Sequence, residues 1–176
     1  EQKKFISKLF LVNSKKLEVI YTSADENIFY PDPSIEKRKK FTVVFRGLFL
    51  PATGVEYVLE AAKILKEKDI NFIIIGWGER SEYVKRFIEG NNLTNVEWIH
   101  WFIEPRELRE KMLSAHVMLG QFSSHERMDR TIQNKTFEAM ALGMPYITRD
   151  SRSNREILTG GVNCLFVRPD DARDLA

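Results

Sequence analysis

Ile132-Gln133-Asn134-Lys135-Thr136-Phe137-Glu138-Ala139-Met140-Ala141-Leu142-Gly143-Met144-Pro145 carries a helix start, a helix stop and the opening of a strand in one run. Lys135 to Leu142 reads as a helix, because Gly143 and Pro145 form a standard stop signal. Pro145 to Thr148 then reads as an apolar strand. A helix that runs straight into such a strand is half of a βαβ unit. The start of this helix is unusual. Unpaired amides already give a helix N-terminus roughly half a positive charge, so a lysine in the first turn stands against the dipole and calls for an anion. One reading is local: Glu138, three residues on, pairs with Lys135 for a few tenths of a kcal/mol. The other is that the amides of Asn134, Lys135 and Thr136, with the Lys135 ammonium, hold a phosphate. Glu138 is then free to accept hydrogen bonds from a sugar hydroxyl.

Outward from this run the same alternation repeats. Short apolar stretches at Phe41 to Arg46, Asn71 to Ile75, Val96 to Trp101, His116 to Phe122 and Cys164 to Val167 read as further strands. Helical segments fall between them. In Gly54 to Lys66 the residues Val55, Val58, Leu59, Ala62 and Leu65 recur at steps that line one face. Arg80 to Ile88 follows, then Pro105 to Ser114 with proline at its first position, and a short turn at Asn154 to Leu158. Continuous apolar strands between amphipathic helices predict a parallel sheet covered on both faces. The fold class is α/β, a doubly wound, Rossmann-like domain.

Composition excludes other classes. The chain has 176 residues, 43% hydrophobic and 30% charged, enough for one ordinary core and outside the range of disordered chains. Net charge is only +2, and the densest basic cluster, Lys37-Arg38-Lys39-Lys40, reads as a solvated linker, so no nucleic-acid partner is expected. No apolar run reaches the roughly 18 residues of a membrane span, and no signal pattern opens the chain, which reads as cytoplasmic. The lone Cys164 excludes an internal disulfide and sits in a core strand pattern. His100, His116 and His125 share no ligand spacing with it, so no protein-held metal is expected.

Doubly wound sheets bind ligands outside the carboxyl ends of their strands. After the first strand comes Arg46-Gly47-Leu48-Phe49-Leu50-Pro51-Ala52-Thr53-Gly54, where Gly47 allows close approach by a ligand or by another backbone. Gly76-Trp77-Gly78-Glu79 suits a phosphate or ribose against backbone amides, but lacks the third glycine and spaced acid of the dinucleotide fingerprint. Trp101 and Phe102 offer an aromatic face to a base, or pack in the core. Ser123 to Arg130 is long and polar and leads into the Lys135 helix. These loops converge on one edge of the sheet.

The order of these motifs resembles the C-terminal, donor-binding half of GT-B glycosyltransferases, in the large retaining family often called family 4. Val19-Ile20-Tyr21-Thr22-Ser23-Ala24-Asp25 with Phe29 and Pro31 is similar to the V-I-x-N-G-V-D-x-x-x-F-x-P segment that closes the N-terminal domain. Gly47 to Gly54 resembles the first donor loop, Phe72 to Gly78 the strand and G-x-G turn, Asn95 to Phe102 the N-V-x-F-x-G strand, and Phe137 to Pro145 the E-A-M-A-x-G-x-P helix. On this resemblance residues 1–38 are the tail of the N-terminal domain and a linker, with the amphipathic stretch Phe5 to Phe10 and one strand. Residues 39–176 are the donor domain, cut short in its C-terminal helices.

The resemblance also implies roles. Glu138 matches the second glutamate of the family's E-x7-E motif, which binds ribose, and the amides just before it, at Asn134 and Lys135, meet the diphosphate. Gly76, Gly78 and Trp101 fall in the nucleotide-binding loops. The first glutamate is replaced by Arg130, with Glu126 off register, and the arginine and lysine of the first loop are replaced by Leu48 and Thr53. Arg46 beside Gly47, together with Lys135, takes over the missing charge at the diphosphate. A related branch shows G-x-F-x-P-x-x-G with an N-K-x-x-E helix. The implied reaction moves a hexose from a nucleoside-diphosphate sugar to an acceptor hydroxyl, without metal or other cofactor. A glycan or lipid-linked acceptor is held by the N-terminal domain, with peripheral association at the inner membrane face, and the fragment alone is inactive. A phospho-acceptor receiver fails, since it needs acids where Arg46-Gly47 stands. A nucleotide-sugar epimerase of the same architecture and a degenerate binding module are the rival readings.

Overall fold

Val43, Val44 and Phe45 are buried in succession, and side chains alternate across a strand, so this segment must be covered on both faces. The computed structural model describes residues 1–176 and shows how. β1 (Phe41–Arg46) lies at the centre of a 6-stranded sheet with β2 (Ile70–Ile75), β3 (Val96–Ile99), β4 (Val117–Leu119), β5 (Tyr146–Arg149) and β6 (Leu165–Val167). The order is β3-β2-β1-β4-β5-β6 and every pair is parallel. Val44, Ile73, Ile75 and Met118 point to one face, where Met112 and Leu113 of α4 (Pro105–Ser114) and Ala139 of α5 (Asn134–Ala141) cover them. Val43, Phe45, Phe72 and Ile74 point to the other, against Val55, Val58 and Leu59 of α2 (Val55–Ile64) and Val84 of α3 (Ser81–Gly90). Each such buried side chain contributes about 1.5–3 kcal/mol. The sheet is thus the doubly wound, Rossmann-like one read from the apolar pattern.

Most element boundaries shift by one or two residues from their expected places, and two strands end earlier for a physical reason. β3 ends at Ile99 instead of Trp101, because β2 stops at Ile75 and Gly76 N makes the last contact with Ile99 O (2.9 Å). The β4 ladder ends at Leu119, although extended, buried chain continues to Phe122; apolarity reports burial, not pairing. The short turn expected at Asn154 to Leu158 is present as a 3₁₀ turn, Asn154–Glu156.

The N-terminal segment departs further. α1 (Gln2–Leu9) starts three residues before the expected Phe5 to Phe10 and ends one residue short of it, and Val19 to Tyr21 pairs with no strand. Lys37 to Lys40, expected as a solvated linker, is largely tied down. Lys37 Nζ donates to Leu113 O (2.8 Å) and Ala115 O (2.7 Å) at the end of α4, and Arg38 pairs with Glu97 (2.8 Å). Asp32 reaches Arg109 of α4 (2.7 Å), whose guanidinium lies 3.9 Å from the Tyr30 ring centre. The chain ends in α6 (Ala172–Leu175), which packs on α2.

Candidate ligand site at the topological switch point

From β1 the chain winds outward to β2 and β3, then returns to the other side of β1 for β4. The crevice between the loops after β1 and β4 is therefore the switch point, where such sheets take ligands. Lys135 fills its floor. Its side chain runs from the first turn of α5, with Nζ 3.4 Å from Gly120 O after β4 and 4.1 Å from the Phe45 ring centre at the end of β1. Gly47 lies on its other side with φ +151; a β-carbon there would sit 3.1 Å from Nζ. Gly76 in turn backs Gly47 so closely that a β-carbon would fall 1.9 Å from Gly47 O.

No carboxylate stands within ion-pair distance of Lys135, which is only 5% exposed. The expected local pair with Glu138 does not form, and the free Glu138 of the alternative reading is not found either. Arg46 Nε donates to Glu138 Oε2 (2.7 Å) and its Nη2 to Oε1, a bidentate pair that joins the end of β1 to α5. Burial, reinforced by the Arg46 charge and only partly offset by Glu138, pushes the Lys135 ammonium down to about 7.

The remaining predicted residues divide. Asn134 is exposed at the first position of α5, and no protein acceptor takes the amides of Asn134 or Lys135. Thr136 does not join them: its amide donates to Gln133 O (2.9 Å) and its hydroxyl shares a hydrogen with the Tyr146 hydroxyl (3.0 Å), beneath the site. Arg46, Gly47, Gly76 and Trp101 line a cleft of about 190 Å³ beside the switch point, rimmed by Leu48, Trp77 and Phe102. Trp101 is 55% exposed there, so the aromatic is a surface group and not core. Gly78 lies outside the cleft and serves the turn before α3, its amide donating to Ser81 Oγ (2.9 Å). Glu126 and Arg130 pair with each other (3.2 Å), and the Arg130 guanidinium lies 4.2 Å from the Phe5 ring centre.

A sequence profile described as glycosyl transferases group 1 matches residues 40–176. The chain belongs to that family. The fold is that of the C-terminal half of a GT-B glycosyltransferase. A 2-deoxystreptamine N-acetyl-D-glucosaminyltransferase of Niallia circulans is 28% identical over 143 residues, which is 78% of this chain and 34% of that protein. An uncharacterized glycosyltransferase of Methanocaldococcus jannaschii is 24% identical over 157 residues, 89% of this chain and 41% of that one. The chain thus spans less than half the length of these relatives. Among solved structures, Anabaena HepE with UDP and glucose superposes with a TM-score of 0.77 at 19% identity, over 93% of this chain and 46% of its own. The C-terminal domain of a group 1 family protein, LpcC of Francisella tularensis, does so with 0.71 at 17% identity, over 88% of this chain and 84% of its own.

In this group 1 domain the sequence reading missed what holds the loop from Ser123 to Arg130. Arg149, buried at the end of β5, donates through Nη1 to Ser123 O and through Nη2 to Asp129. Ser153 Oγ donates to Met128 O (3.1 Å), and Asp170 accepts from Ser124 N (2.8 Å). An arginine closing a strand that opens on the apolar pair Tyr146-Ile147 was the available signal.

Proposed function

We propose that this domain binds the nucleoside-diphosphate sugar of a retaining glycosyltransferase of the family 4 kind, for transfer of a hexose to an acceptor hydroxyl. The observation that carries it is Lys135: a buried amine with no carboxylate in ion-pair reach, at the switch point, beside the unpaired amides of Asn134 and Lys135. Charged amines are buried only where something compensates them, and a diphosphate at the start of α5 would meet the helix amides and Nζ together. Arg46 exchanges Glu138 for the same diphosphate, and Glu138, released, accepts from the ribose hydroxyls. The cleft of about 190 Å³ falls short of the roughly 300 Å³ of a whole ligand pocket; it suits one ring, the base, against Gly76 and Trp101.

In the reaction, negative charge appears on the leaving diphosphate as its bond to the anomeric carbon breaks. Donors fixed around that oxygen before the step cost no reorganisation and stabilise the transition state most. Lys135, Arg46 and the α5 amides supply positive charge there without a metal. We take residues 1–38 to belong with the acceptor-binding half, and residues 39–176 as the donor domain; a glycan or lipid-linked acceptor at the cytoplasmic membrane face follows from the resemblance alone. The HepE complexes with UDP and with UDP-glucose support the donor class.

Calorimetric titration with UDP-glucose, GDP-mannose and ADP-glucose tests this reading. One of them is expected to bind, with affinity lowered about tenfold or more in Lys135→Ala and in Glu138→Gln, as for loss of a hydrogen bond to a charged group. Equal binding by wild type and both variants would refute it.

A further inference from the structure

The groups that face Lys135 leave its charge unbalanced from every side. From β1 comes Arg46, a second cation; from its own helix comes Glu138, whose two oxygens Arg46 already takes. The loop after β4 presents the carbonyl of Gly120 at 3.4 Å and no ionisable side chain before His125. β5 contributes Tyr146, a phenol that burial pushes up to about 12 and so keeps neutral. Beneath lies the Phe45 ring, and Gly47 closes the other side. Burial and the Arg46 charge both favour the neutral amine, bringing amine and ammonium into balance near pH 7. A diphosphate at the start of α5 would reverse that balance, because its negative charge would stand against Nζ in a region of low polarisability.

We propose that Lys135 takes up a proton from solvent as the diphosphate of the donor enters, so that this site binds and releases an anion and a proton together. The inference rests on the donor site proposed above. The amine lone pair accepts the proton, the buffer supplies it, and no covalent bond of the ligand changes. Affinity therefore falls roughly tenfold per pH unit above neutrality, for as long as the bound lysine stays charged. Departure of a nucleoside diphosphate is favoured on the alkaline side.

The test is calorimetry of UDP-glucose, GDP-mannose and ADP-glucose in buffers of different ionisation enthalpy. A nucleotide-sugar diphosphate carries no proton near neutrality, so buffer-dependent heat reports protein groups, and its loss in Lys135 variants assigns it to that side chain. Wild type is expected to take up a proton on binding, with an uptake that grows as pH rises from 7 to 8, because burial and the Arg46 charge hold the empty Lys135 amine well below the usual lysine range. Lys135→Arg, permanently charged, is expected to bind without uptake and with a flat pH profile. Lys135→Met, uncharged, is expected to bind more weakly and also without uptake. Binding by wild type with no buffer-dependent heat, or with uptake that persists in both variants, would overturn the inference and leave the donor site standing. Failure of wild type to bind any of the three would overturn the donor site itself.

Discussion

A lysine buried without a carboxylate lowers the stability of the empty fold. The unfolded side chain keeps its proton to about pH 10.4, whereas the folded one releases it near 7. Between those values the unfolded state binds more protons, so the contribution of Lys135 becomes less unfavourable as pH rises, and it is at its worst below pH 7. Lys135→Met is therefore expected to stabilise the empty protein by on the order of 2–4 kcal/mol at pH 6.5, and by less at pH 9.5. Thermal melts of the two proteins at both pH values, without nucleotide, check this; a gap that widens with pH would contradict it. Gly47 acts on the same group. A β-carbon there would press on Nζ at 3.1 Å and force a backbone with φ +151, at a cost of about 1–3 kcal/mol. Gly47→Ala is expected to weaken nucleotide binding in a titration while the far-ultraviolet circular dichroism keeps its shape.

Elements were legible where local signals and burial agreed. α4 runs from Pro105 to Ser114 as its proline and periodicity predicted, and β1 from Phe41 to Arg46, because both faces of that strand are apolar. The stop at Gly143 places α5 within one residue of its reading. The pairing of Arg46 with Glu138 was not legible, since it joins residues 92 apart and exists only once β1 and α5 meet at the switch point. Thr136 illustrates the same limit: its position in a first turn suggested a phosphate contact, but packing of α5 on β5 turns its hydroxyl to Tyr146. Arg149 is the element-scale feature with the largest consequence, because it ties the end of β5 to both ends of the loop from Ser123 to Asp129. Arg149→Met removes charge-assisted hydrogen bonds worth about 2 kcal/mol. Amide exchange across residues 123–130 is expected to speed up about tenfold or more, with β1 and β2 unchanged; uniform acceleration would mean that Arg149 supports the whole fold instead.

At the scale of the whole molecule, the strand order puts Arg46, Gly47, Gly76, Trp101 and Lys135 together at the carboxyl edge of the sheet. A second cleft of about 610 Å³, apolar and lined by Met140, Met144, Val162 and Leu165, lies at the opposite edge, by the amino ends of β4, β5 and β6. Size alone favours that cleft, whereas charge, unpaired amides and topology favour the switch point. The two edges lie at opposite ends of the strands, so an amide correlation spectrum of the nitrogen-15-labelled chain during titration with UDP separates them. Shifts centred on the amides of Asn134, Lys135, Gly47 and Gly76 are the predicted result. Shifts centred on Met140 to Leu165, with the Asn134 and Lys135 amides unmoved, would contradict a donor site at the start of α5.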